Sequence, residues 1–279
     1  MSSEQASKTI NINGINLKLP SGHPLDHIKS KFKRYDEFLP FLIKRLKVGS
    51  GIVDIGANCG DTLATIIPHG PHLCYIAAEP SENFFGYLKV NTDTINQLYP
   101  YATIVISNIA IGSDEGDYIL SEKSGTAKLI KTLDSTLGAF KKLKLKTLID
   151  SINIKFTPKL IKIDTDGSDY DVLNSSLDLI KEFKPILFFE FCPLDNEKFA
   201  GYWDALKNLE KTDYRFFYVF DNFGDFILAT TDIKIVLTLG RYFISKPAKP
   251  PLYIDVLAVV SADAELADSA VNEFNQTPF

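Results

Sequence analysis

Two short stretches of this chain carry residue types at a spacing suited to chemistry. In the first, Ile52-Val53-Asp54-Ile55-Gly56-Ala57-Asn58-Cys59-Gly60-Asp61, an apolar run ends in an acid, a loop with two glycines follows, and an apolar helical pattern comes next. Strand, glycine loop and helix start in that order hold a nucleotide-type ligand at the end of a first parallel strand. In the second, Lys162-Ile163-Asp164-Thr165-Asp166-Gly167-Ser168-Asp169-Tyr170-Asp171, four acids fall within eight residues. Carboxylates that close repel one another. A packed loop has little use for them, whereas a proton acceptor or an oxygen-ligated metal does.

The first loop reads Asp-x-Gly-x-x-x-Gly, not the Gly-x-Gly-x-x-Gly of dinucleotide enzymes. An acid at the strand end suits an ammonium and repels a pyrophosphate. Gly56 and Gly60 are expected to let backbone amides approach a ligand without a Cβ in the way. A second acid, Glu79, stands 19 residues after Gly60, where an acid at the end of the second strand holds ribose hydroxyls. Together these point to S-adenosylmethionine. The expected cofactor contacts are Asp54, Gly56, Ala57, Asn58, Gly60 and Glu79, with Asn108 and Ala110 flanking an adenine after the third strand. The plainer reading is a glycine turn that joins any strand to any helix, with Cys59 a small filler of the loop.

In the second stretch Asp164 and Asp166 are the candidate catalytic acids, joined by Glu190 at the end of the next strand in Phe188-Phe189-Glu190-Phe191. One would take a proton from an acceptor hydroxyl; two or three of the same set would hold Mg²⁺. Asp169 and Asp171 read as first-turn helix acids. Lys162, two positions before Asp164, faces the same side of the strand and either pairs with the acids or binds substrate. His69 and His72 flank a Gly-Pro turn and lack further metal ligands nearby in sequence.

These residues need a frame that brings strand ends together. Short apolar runs at 51–55, 73–79, 103–108, 160–164, 185–191, 214–220 and 253–259 read as strands, and segments 61–67, 81–98, 169–182 and 197–211 as helices. The alternation predicts an α/β fold with a mostly parallel, seven-stranded sheet and helices on both faces. Residues 1–48 read as an N-terminal extension, with a hairpin at 9–19 around Asn13-Gly14 and helix around Pro40. Residues 49–260 form the core, and 261–279 a polar, loosely held tail. Net charge is −5, so no global basic field is available for nucleic acid. Lys141 to Lys146, with Lys128 and Lys131, reads as a solvated basic face. Three scattered cysteines, a polar N-terminus and the lack of a membrane-length apolar run lead to a cytoplasmic expectation without an integral membrane segment. Oligomeric state is left open.

At the quoted residues the chain resembles the FkbM family of S-adenosylmethionine-dependent methyltransferases. The resemblance is carried by residues 53–61, Ala78-Glu79-Pro80, Ala110-Ile111-Gly112, Leu160 through Gly167, Asp171-Val172-Leu173, Lys184 through Glu190 and Tyr253 through Ala258. Thr147 through Ile152 is similar to the segment that precedes the family's fourth strand. The resemblance implies a class I methyltransferase (Rossmann-like) fold and O-methylation of a hydroxyl on a sugar, glycan or natural-product acceptor. The family commonly has Glu where this chain has Asp166, and again near Asp169, so these carboxylates are kept one methylene shorter. A nicotinamide oxidoreductase on a similar sheet, and a non-catalytic cofactor-binding module, are the alternatives.

Overall fold

The computed structural model describes residues 6–113, 117–123, 125–132, 141–246 and 252–279. The described chain opens with a hairpin, β1 (Ser7–Ile12) and β2 (Ile15–Pro20), and two short helices, α1 (Leu25–Lys31) and α2 (Leu39–Ile43). Asn13 and Gly14 both take positive φ, as an Asn-Gly hairpin turn requires. β3 (Ser50–Ile55) leads to α3 (Asp61–Ile66), β4 (Cys74–Ala78) to α4 (Glu82–Leu98), and β5 (Thr103–Ser107) follows. A second hairpin, β6 (Asp117–Lys123) and β7 (Thr126–Thr132), precedes α5 (Leu145–Ser151) and β8 (Thr157–Ile163). Next come α6 (Asp169–Ser175), α7 (Leu177–Phe183), β9 (Ile186–Phe191), α8 (Asn196–Lys211), β10 (Tyr214–Asp221) and β11 (Phe226–Thr230). Last are α9 (Ile233–Ser245), β12 (Ile254–Val260) and α10 (Ala264–Gln276).

The central sheet runs β11-β10-β12-β9-β8-β3-β4-β5. From β9 to β5 its neighbours are parallel, and β12 lies antiparallel between β9 and β10. The expected alternation and mixed late strands are present, but the sheet has eight strands, not seven. The extra one, β11, follows a tight turn in which Asp221 Oδ1 accepts the Phe223 and Asp225 amides, each at 2.9 Å. Its five residues, half-buried in alternation at the sheet edge, leave a weak apolar signal.

Alternate strand residues feed two cores. Ile52, Tyr75 and Ala77 face the one shared with the N-terminal hairpin, α2 and α10; Val53, Ile55 and Ile76 face the one shared with α5 to α9. The hairpin is fastened by Asn91 of α4, which exchanges bonds with Lys18 N (2.8 Å) and O (2.9 Å) and donates to Cys59 O (2.7 Å). The expected helix at 169–182 breaks at Ser176 (φ −103°, ψ 8°) after a run of Asn and Ser that favour caps over helix interiors. Among the described residues, no helix is long and apolar enough to cross a membrane.

The expectation of a loosely held segment after Ser261 is overturned. Ala267, Ala270, Val271 and Phe274 recur at helical spacing and are buried on one face of α10. Phe274 packs against Phe38, Phe41 and Phe220 at centroid distances of 5.5, 5.4 and 6.0 Å. Overall polarity hid an amphipathic helix. Phe274→Ala is expected to cost about 3–5 kcal/mol in urea unfolding; a change below about 0.5 kcal/mol would mean the helix is not part of the core.

Candidate active site

The loop at 56–60 leaves β3 and turns into α3. Gly56 has φ +85°, and a Cβ there would lie 1.8 Å from the carbonyl oxygen of Asp164. Glycine is therefore demanded by the exit of β8 passing close by, a correction to the idea that it clears space for a ligand. Gly60 (φ +88°) caps α3 under Leu88. The loop amides are also spoken for. Gly56 and Ala57 donate to Ala78 O (2.9 and 3.1 Å) and Gly60 donates to Ala57 O (2.8 Å). Asn58 donates to Glu79 Oε2 (2.8 Å) and Cys59 to Asn58 Oδ1 (2.8 Å). A diphosphate cradled by this loop would need those donors, which argues against the nicotinamide alternative.

Above the loop lies a cavity of about 380 Å³. Gly56, Asn58, Glu79 and Ala110 line it, as do Asp164, Asp166 and Glu190. Asp54, Ala57, Gly60 and Asn108 do not. Asp54 is fully buried below, and Asn108 turns its amide onto Glu79 O (2.8 Å) and Pro80 O (3.2 Å), fixing the strand exit. Glu79 takes the Asn58 and Ser81 amides (2.8 Å each), one per oxygen, and each oxygen keeps a lone pair for a hydroxyl.

The β6–β7 hairpin, absent from the sequence expectations, roofs this cavity with Gly125 to Leu129 opposite Ile109 to Ile111. Asn58 (φ +48°) anchors it by donating to Gly125 O at 2.8 Å. Leu25 N–H donates to His23 Nδ1 (3.3 Å), so His23 Nε2 carries the proton it offers to Asn58 Oδ1 (3.2 Å). Ser81 Oγ donates to Glu122 on the same hairpin. The basic-face expectation is corrected at two lysines. Lys128 lines the cavity. Lys142 is buried, paired with Asp171 at 2.7 Å, with its ammonium 4.1 Å from the Tyr118 ring centroid.

Among the acids, Lys162 joins the two stretches: its Nζ lies 3.4 Å from Asp54 Oδ1 and 3.1 Å from Asp164 Oδ2. Neither Asp54 oxygen has a hydrogen-bond donor, so the Asp54 contact is an ion pair without alignment. Asp169, read as a first-turn helix acid, is buried and accepts from Thr165 N (3.1 Å) and Gly167 N (3.2 Å), shaping the loop. The sequence reading missed Tyr35, Asp36, Tyr253 and Asp255, all of which line the cavity. Asp255 sits directly across from Glu190 in the antiparallel β9–β12 register. A strand-end acid there was a usable signal.

Burial pushes Asp54 up to about 6, with Lys162 opposing, and Glu79 up to about 7 against its two amide donors. Burial and the nearby Asp164 push Asp166 to about 6 and Asp169 to about 7. Burial and then Asp169 hold Glu190 well above the ordinary range. The folded protein thus keeps protons that the unfolded chain releases. This stabilisation is complete below the ordinary carboxyl values of 3.8–4.5 and is lost as pH rises through about 6 to 7. The ligand-free protein should therefore show a higher urea midpoint at about pH 5 than at about pH 8, and Glu79→Gln should shrink the difference. A midpoint that rises with pH over this interval would contradict the assigned burial effects.

Among the described residues, no group of three or more His, Cys, Asp or Glu is arranged to hold a metal ion. The expected Mg²⁺ set of Asp164, Asp166 and Glu190 is not assembled, and Asp164 pairs with Lys162 at 3.1 Å. The donor set does fit S-adenosylmethionine. Glu79 suits two ribose hydroxyls, the slot between Ile109–Ile111 and the hairpin suits a flat base, and carboxyls with the orphaned Asp54 below suit a ligand bearing sulfonium and ammonium charge.

A family model, the methyltransferase FkbM domain, matches residues 54–216, more than half of the chain. No functionally curated protein shows significant similarity. Similar solved structures include a methyltransferase FkbM from Methylobacillus flagellatus (20% identity, 62% of this chain, 40% of that one, TM-score 0.40). A precorrin-6y C5,15-methyltransferase from Geobacter metallireducens shares 14% identity over 79% of this chain and 86% of its own (TM-score 0.39). M. jannaschii TYW2, solved in complex with AdoMet, shares 11% over 92% and 87% (TM-score 0.45). With the family model matching more than half of its residues, this chain belongs to the FkbM methyltransferase family.

Proposed function

We propose that this methyltransferase O-methylates a hydroxyl of a sugar, glycan or natural product, with a carboxylate as general base. The supporting observation is one cavity lined by Glu79 and Ala110 together with Asp166 and Glu190. When bound, S-adenosylmethionine supplies a methyl carbon made electrophilic by its sulfonium. The residues do the rest. Glu79 holds the ribose, and the hairpin roof excludes water. The walls hold acceptor oxygen and methyl carbon close and in line.

Asp166 is the proposed base. Its carboxyl, pushed up to about 6 by burial and by Asp164, is mostly ionised at neutral pH yet basic enough to accept the hydroxyl proton. Asp166 takes φ +54° at the turn into Gly167 and lines the cavity, as Ala127 and Lys128 of the hairpin do. Glu190, held well above the ordinary range by burial and Asp169, lines the same cavity as a helper to the base. Lys162 positions Asp164 beside them.

Asp166→Asn is expected to lower kcat for methyl transfer by about 10²–10⁴-fold, with S-adenosylhomocysteine affinity unchanged. The measurement is transfer of labelled methyl to acceptors from glycan and natural-product extracts, with the label located on oxygen. Unchanged transfer would remove Asp166 from the mechanism. Titration showing NADH binding without S-adenosylhomocysteine binding would reverse the cofactor reading.

A further inference from the structure

Segment 32–38, between α1 and α2, borders the cavity as a strap. On its outer side the β10–β11 turn grips it. Phe32 stacks on Phe223 with centroids 4.1 Å apart, and Arg34 Nε lies 3.5 Å from Asp225 Oδ1. Gly224 (φ +90°) sits so close that a Cβ would come within 2.1 Å of Arg34 O. From α1, Lys29 Nζ reaches Tyr35 O (3.2 Å) and Glu37 Oε1 (2.8 Å). On its inner side Tyr35 and Asp36 line the cavity. Asp36 takes φ +57°, a conformation that a non-glycine residue rarely adopts.

The place of Asp36 in the cavity defines its chemistry. The charges that act on it most strongly are those of Lys162 and Asp61, followed by Lys29 and Asp164. It lines the cavity together with Asp61, the first residue of α3, and Lys162. The lining offers both signs: carboxyls on Asp36 and Asp61, an ammonium on Lys162. Below, Asp54 is fully buried with both oxygens lacking a hydrogen-bond donor. A zwitterion with its ammonium toward the acids and its carboxylate toward Lys162 matches this arrangement; a neutral hydroxyl compound leaves the charges unanswered.

We propose that Asp36 is a cofactor-binding residue that receives the α-ammonium of the methionyl end of S-adenosylmethionine, held in place by the strap and the β10–β11 turn. The proposal rests on the methyltransferase reading and extends it to a residue outside the region matched by the family model, residues 54–216. It gives the N-terminal segment a task in donor binding.

The test uses the full-length chain and two probes that share adenosine and a thioether. S-Adenosylhomocysteine carries the amino-acid end; 5′-methylthioadenosine lacks it. Asp36→Asn removes the charge, and Asn tolerates the left-handed backbone as Asp does. By isothermal titration, D36N should weaken S-adenosylhomocysteine by about 10–100-fold, the loss of one charge-assisted contact, and leave 5′-methylthioadenosine unchanged. Gly224→Ala, which displaces the strap from outside the cavity, should give the same selective loss. Equal weakening of both probes by D36N would overturn the proposal in favour of a structural role. Unchanged S-adenosylhomocysteine affinity would overturn it outright. A wild-type chain that binds neither probe would sink the methyltransferase reading itself, and this proposal with it.

Discussion

Lys162 is the cation on which the site depends. It is 5% exposed and stands among carboxyls. Burial alone would pull its ammonium down, but Asp164, Asp54, Asp36 and Asp61 together hold it well above the ordinary value. Desolvating such a charge costs several kcal/mol, recovered only where the partners are close and fixed. Sheet register fixes them: Lys162 on β8 lies beside Asp54 on β3 in the parallel ladder. A one-residue slip would turn Lys162 to the opposite face and strand both charges. The same register brings Gly56 against the carbonyl of Asp164. Fold and site are therefore specified by one alignment of two strands.

Three parts of the chain meet around that alignment, and Asn58 is where they are joined. Its side chain touches the roof through Gly125, the N-terminal segment through His23, and its own loop through Cys59. Its amide holds Glu79. Because the loop spends its amides on the protein, recognition passes to side chains: Glu79 on one side, the acids and Lys162 on the other. That division separates this loop from the anion nests of dinucleotide and phosphate sites, where backbone donors do the binding.

The sequence disclosed what is local. Asp54, Glu79, Asp164 and Glu190 each end an apolar run, and the strand-to-loop pattern marks such positions whatever the rest of the chain does. Asp36 and Asp255 share the cavity with them although they lie far apart in sequence, and no spacing announces that meeting. The β6–β7 hairpin was illegible for a related reason: its exposed and half-buried residues follow no strong alternation, since one side covers a cavity instead of a core. In α9 and α10 the periodicity was present. Val236, Leu237 and Gly240, like Ala267, Ala270, Val271 and Phe274, fall on one helical face. Local polarity in α10 weighed more than period, although period is what burial follows.

The proposed chemistry also accounts for so many acids beside so few cations. Before transfer, the cavity holds an ionised Asp166 facing a donor with a positive sulfonium. After transfer, Asp166 carries the acceptor's proton and the donor's sulfur is neutral. One positive and one negative charge are consumed together, and the net charge of the cavity is unchanged. In water the disappearance of an ion pair forfeits solvation on both sides. In a roofed cavity, where desolvation already holds Asp166 near 6, little solvation remains to be lost, so neutralisation is less opposed. Raised carboxyl values, the hairpin roof and the buried Lys162 then belong to one arrangement. Lys162 pairs with Asp164, while Lys128 of the hairpin and Lys162 oppose the upward shift of Asp166 without cancelling it.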